Sequence, residues 1–127
     1  VPQKNLIDVL VTEPDGSARM ERITPTLDAI KELIGGGWLE AVSGSMGEWV
    51  AYGDEEGNLK GMTPNGLAAG LIQAIGGNPV LPVGTIAFVG MRWVGGEDGY
   101  VEGPLPQKVI DLMFPGGGGD YQGADRE

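Results

Sequence analysis

The sequence predicts a single small α+β domain: an antiparallel or mixed sheet with two main helices and a short C-terminal helix. Three observations carry this. Short runs rich in Val, Ile and Leu are separated by turns containing Gly and Pro. Two segments that begin at Thr-Pro and end at Gly-Gly carry apolar residues at helical spacing. The chain has 127 residues, a length at which roughly two-thirds of the unfolded surface is buried on folding, so one core forms without staples.

Residues 6–12 (LIDVLVT) read as a buried strand, and 18–23 (ARMERI) as its return. Between them Glu13-Pro14-Asp15-Gly16 is turn chemistry, with Pro presetting φ and Gly supplying positive φ. Thr24-Pro25 then predicts an N-cap and first helical residue, and Leu27, Ile30 and Ile34 give a helix over 25–34 that Gly35-Gly36-Gly37 ends. Residues 38–43 (WLEAVS) and 48–52 (EWVAY) are expected as strands around a loop at 44–47, followed by a turn at 54–57 and a short return strand at 58–61. Thr63-Pro64 repeats the helix-start device. It predicts a helix to about residue 75, with Leu67, Leu71, Ala74 and Ile75 on its inner face.

Residues 83–89 (VGTIAFV) form the next strand, which Arg92-Trp93-Val94 could extend, and 95–99 is expected as a loop. A third helix over 105–114 would bury Val109, Ile110, Met113 and Phe114. The domain therefore spans 1–114, and the Gly-rich acidic stretch 115–127 is expected to be a disordered tail. Both halves read strand, acidic turn, strand, Thr-Pro, helix, Gly-Gly, strand, which raises a duplicated ββαβ unit as one architecture.

Composition narrows function by removal. With no Cys there are no disulfides, thiol nucleophiles or Cys-based zinc sites. With no His, the commonest acid–base side chain and imidazole ligand are both missing. A net charge of −10 opposes the neutralisation of phosphates that nucleic-acid binding needs, and favours a basic partner surface or plain solubility. No apolar run reaches the ~20 residues of a spanning helix, and the N-terminal stretch lacks the pattern of a signal peptide. The expected setting is cytoplasmic, with no membrane association.

Candidate sites follow from local chemistry. Asp54, Glu55 and Glu56 could meet a basic partner; the plainer reading is a solvated turn. The alternating oxygen ligands of an EF-hand loop are absent there, so no metal site is assigned. Trp49 and Tyr52, three apart in one strand, face opposite sides of the sheet, so that one belongs to the core. The other could join Lys60, Asn65, Arg92 and Trp93 around a planar anionic ligand such as a small nucleotide, with Asn65 at the start of a helix where N–H groups collect. Packing and local capping are the plainer roles for these residues. Glu40, Glu48, Glu97 and Asp98 have no spacing that specifies a catalytic pair, and Ser43 and Ser45 have no His base. No catalytic residue and no cofactor is assigned, and the protein reads as non-enzymatic.

Four blocks, LDAIKELIGG running into WLEAV, then YGDEEGNLKG, then Pro64-Asn65, then GTIAFVG, resemble a small family found in phages, prophages and bacterial mobile elements and classed as a domain of unknown function. The resemblance covers about residues 6–90. It implies a small α+β domain and an accessory role toward host processes, and it implies no reaction. Three expectations follow: a non-catalytic accessory protein binding a basic host protein, a nucleotide-binding module, or a minor virion protein. Exposed sheet edges also make a homodimer an expectation.

Overall fold

The computed structural model describes residues 6–45, 48–95 and 99–114. The elements run β1 (Ile7–Thr12), β2 (Ala18–Ile23), α1 (Leu27–Leu33), β3 (Leu39–Ser45), β4 (Trp49–Asp54), α2 (Gly66–Ala74), β5 (Ile86–Gly95), β6 (Gly99–Gly103) and α3 (Gln107–Met113). They form an antiparallel sheet in the order β2-β1-β5-β4-β3, with β6 also paired to β5. This is the α+β domain expected, with the sheet antiparallel rather than mixed.

The described residues form three hairpins, each followed by a helix, so the repeating unit is ββα and not ββαβ. The two proposed halves are not equivalent. β4 neighbours β5 across α2, whereas β2 and β3, which flank α1, have three strands between them.

Strand alternation sorts the core into two layers. Leu10, Trp49, Ala51, Ile86 and Phe88 point to one face, where they meet Ala68, Leu71, Ile72 and Ile75 of the α2 segment and Leu105, Val109 and Ile110 of the α3 segment. Val9, Val11, Val50, Ala87 and Val89 point to the other, under Ile30 and Ile34. β1 and β5 carry apolar residues on both faces because helices cover both sides. β5 is long enough to change neighbours: Phe88 lies opposite Leu10 of β1, and Gly90 lies opposite Gly103 of β6.

Several boundaries differ from expectation for identifiable reasons. Both Thr-Pro pairs precede the true cap. Thr26 caps α1, its Oγ1 accepting the Ala29 N–H at 3.2 Å, and Asn65 caps α2. The buried residues of α2 are Ala68, Leu71 and Ile72, which leaves Leu67 partly covered and Ala74 exposed. β3 continues through Gly44 and Ser45, where a loop was expected, with a bulge between Ala41 and Ser43. β6 overlaps the expected loop only at Gly99 and otherwise lies on residues given no element, and the expected return strand at 58–61 is a series of turns. The tail at 115–127 lies outside the described residues.

Candidate functional site

The acidic run divides where β4 ends. Asp54 is the last residue of β4 and is buried, while Glu55 and Glu56 are exposed. The Asp54 carboxylate accepts the Glu56 N–H at 2.8 Å through one oxygen and the Lys60 ammonium at 2.7 Å through the other. These bonds curl 55–61 into turns, which explains the missing return strand. The close approach of Gly37 reinforces the arrangement, because a side chain there would collide with the Asp54 carboxyl. The Glu55 N–H donates to the Trp38 carbonyl at 2.8 Å and ties the turn to the chain entering β3.

The Lys60 ammonium, helped by the Glu56 N–H, lowers the Asp54 pKa below its ordinary 3.8. A carboxyl lowered on folding adds stability above its unfolded value, and that stability is lost as pH falls through the folded value. Asp54→Asn should therefore melt below the native protein at neutral pH, and the gap should close as pH falls below 3.8. Thermal melts across acid pH measure this; a gap independent of pH would remove Asp54 ionisation from the stability of the turn.

Beside this turn is a cavity of about 250 Å³. Glu40 and Val42 of β3, Gly53, Glu55 and Asn58, and Leu81 line it, among others. Leu81 is 64% exposed; Leu59, in the turn, and Trp38, just before β3, are 88% and 66% exposed. Leu81 thus sets an open apolar side chain in the same cavity wall as the carboxylates of Glu40 and Glu55.

The cations of the described residues are mostly engaged. Arg19 holds Glu13 and Glu21, Arg22 holds Asp8, Lys60 holds Asp54 and Lys108 holds Glu48. Lys31 lies 4.6 Å from the centroid of the Trp38 ring. Glu40 and Glu55 make no ion pair among the described residues, and Glu56 acts on Lys60 at longer range. The corner is left acidic.

The residues considered for a nucleotide do not converge. Trp49 is fully buried and tilted against Phe88 at 6.0 Å between ring centroids, in the layer under α2. Tyr52 is on the opposite face, its pKa raised by burial and then by the charge of Glu102. Lys60 is bonded to Asp54, and Arg92 is exposed on the far half of β5. Trp93 pairs through its backbone with Tyr100, and its side chain lies outside the described residues.

Asn65 is 0% exposed. Its Oδ1 accepts the Ala68 N–H at 2.9 Å, and its Nδ2 donates to the carbonyls of Thr12 at 3.0 Å and Gly84 at 2.9 Å. All its polar capacity is directed into the fold, so it presents nothing to a ligand.

Residues 7–102 match the model of DUF3846, a domain of unknown function. The chain belongs to the DUF3846 family. The match takes in β1 through nearly all of β6, so every strand of the sheet, and the acidic corner with it, is part of the DUF3846 domain. No curated protein and no solved structure matches the chain. Among the described residues no helix is long and apolar enough to cross a membrane, and no group of three or more acidic side chains is placed to hold a metal ion.

Trp38, Leu59 and Leu81 are the site residues that sequence reasoning missed. Their signal was present in part. Trp38 directly follows the glycines that end α1, and Leu59 lies inside the acidic turn, two places where a large apolar residue has no local core to join.

Proposed function

We propose that this protein is a non-catalytic binding module that docks a basic surface of a partner protein at the corner formed by Glu40, Glu55 and Glu56. In the setting the resemblance implies, the partner is a host protein and the domain is an accessory protein of a phage or mobile element. The supporting observation is the corner itself: the exposed carboxylates of Glu40, Glu55 and Glu56 share it with the cation Lys60, which Asp54 already engages, and the cavity there is edged by the exposed Leu81. Apolar groups supply contact area, and the charges steer approach and select against acidic partners.

The test is capture of partners from host lysate, followed by titration of the purified pair. Replacing Glu40, Glu55 and Glu56 together with Gln should weaken binding by roughly threefold to a hundredfold, since exposed pairs contribute about 0.2–1 kcal/mol each. Raising salt should weaken the native complex in parallel. An affinity unchanged by both treatments would rule out this surface.

A further inference from the structure

We infer that the acidic corner takes an extended basic segment of its partner as an added strand on the open edge of β3, with a lysine or arginine side chain opposite Glu40 and its charged end in the cavity beside Glu55. This rests on the reading of a basic partner given above and specifies how that partner is held.

The two outer strands of the main sheet are unlike. β2 has neutralised its surroundings: Arg19 bridges Glu13 and Glu21, and Arg22 pairs with Asp8 on β1. β3 (LEAVSGS) carries Glu40 and no cation, and among the described residues nothing pairs with its outer side. An unpaired edge presents main-chain donors and acceptors that an extended chain can satisfy.

Position then selects the side chain. Glu40 and Val42 of β3 both line the cavity. A residue placed opposite Glu40 on an added strand has its Cβ about 5 Å away and points to the same face. From there a lysine or arginine stem passes over the apolar wall at Leu81 while its charge reaches Glu40 and Glu55. The bulge between Ala41 and Ser43 divides the edge into 39–41 and 43–45, and the stretch that carries Glu40 beside the cavity is 39–41.

A second copy of the chain fits this edge poorly. It would bring another −10 of net charge and an edge whose one ionised side chain is again Glu40. The chemistry favours a basic strand.

Amide hydrogen exchange on the intact protein tests the inference, with and without a short synthetic peptide alternating lysine and valine. The expected result is slowing of outward-facing amides at 39–41 by roughly tenfold, reversed by high salt and absent with a glutamate–valine peptide or in Glu40→Lys. Salt-sensitive peptide binding that leaves 39–41 unchanged would overturn strand addition while leaving the acidic corner as the binding surface. Peptide binding indifferent to Glu40→Lys and to Glu55→Gln would overturn both. Absence of peptide binding, or slowing at 39–41 that grows with protein concentration alone, would overturn the inference, the latter in favour of a second copy.

Discussion

Replacing Asn65 with alanine should lower the melting temperature by roughly 10 °C or more, taking a loss of about 3 kcal/mol at about 4 °C per kcal/mol. The side chain joins three segments: the end of β1 through the Thr12 carbonyl, the approach to β5 through the Gly84 carbonyl, and the first turn of α2 through the Ala68 N–H. Truncation leaves these groups buried without their partner, which costs more than the net worth of the bonds. Asn65→Asp separates the two roles. Aspartate caps a helix as well as asparagine does, but it would turn an acceptor toward the Thr12 and Gly84 carbonyls. The aspartate variant should therefore be at least as unstable as the alanine variant. If Asn65→Asp melts like the native protein, capping is the whole role of Asn65 and the junction is not held through its Nδ2.

The second large effect is expected at Gly90, in the middle of β5. It pairs with Trp49 on one side and Gly103 on the other, and the chain leaving β6 crosses directly over it. A Cβ at Gly90 would run into the Pro104 carbonyl and the Leu105 nitrogen, which are backbone and cannot rotate away. Gly90→Ala should displace the 104–105 connection and with it the core contacts of Leu105, Val109 and Ile110. A cost of about 3 kcal/mol, at the upper end of overpacking effects, is expected in denaturant unfolding. Gly70→Ala in α2 is the matched control. That position is exposed and open, and alanine in a helix should stabilise by about 0.5–1 kcal/mol. Equal effects at the two sites would mean that the close crossing at Gly90 does not constrain the fold.

The strands and helices whose patterns are local were legible in the sequence. LIDVLVT bounded by EPDG gives β1 and its turn, GTIAFV gives the start of β5, and Val109 with Ile110 marks the buried stripe of α3. What depends on distant partners was not. β6 (GYVEG) is short and weakly apolar, and it is a strand because the far half of β5 lies beside it. The return strand at 58–61 gave way to turns because Asp54 bonds Glu56 and Lys60, a choice that strand propensity does not register. Asn65 could be read as a cap, but not as a buried junction, because its carbonyl partners lie 53 and 19 residues away.

The acidic corner was partly visible as the run from Asp54 to Glu56. Its division into one inward and two outward carboxylates comes from where β4 ends. The rest of its wall comes from separate segments: Glu40 and Val42 from β3, Leu81 from the chain before β5. No single stretch of sequence contains that cavity, and composition reports only the sign of its charge.

The most direct measurement is a paired one on the double variant Glu55→Gln, Glu56→Gln, recording melting temperature and affinity for the captured partner in the same buffer. Both side chains are exposed, and Asp54 keeps its bonds to the Glu56 N–H and Lys60 whatever the side chain at 56. The expected result is a melting temperature within about 2 °C of native, since surface substitutions cost little, together with a clear loss of affinity. A native affinity, or a loss of affinity that merely follows a large fall in melting temperature, would contradict the assignment of this corner as the binding surface.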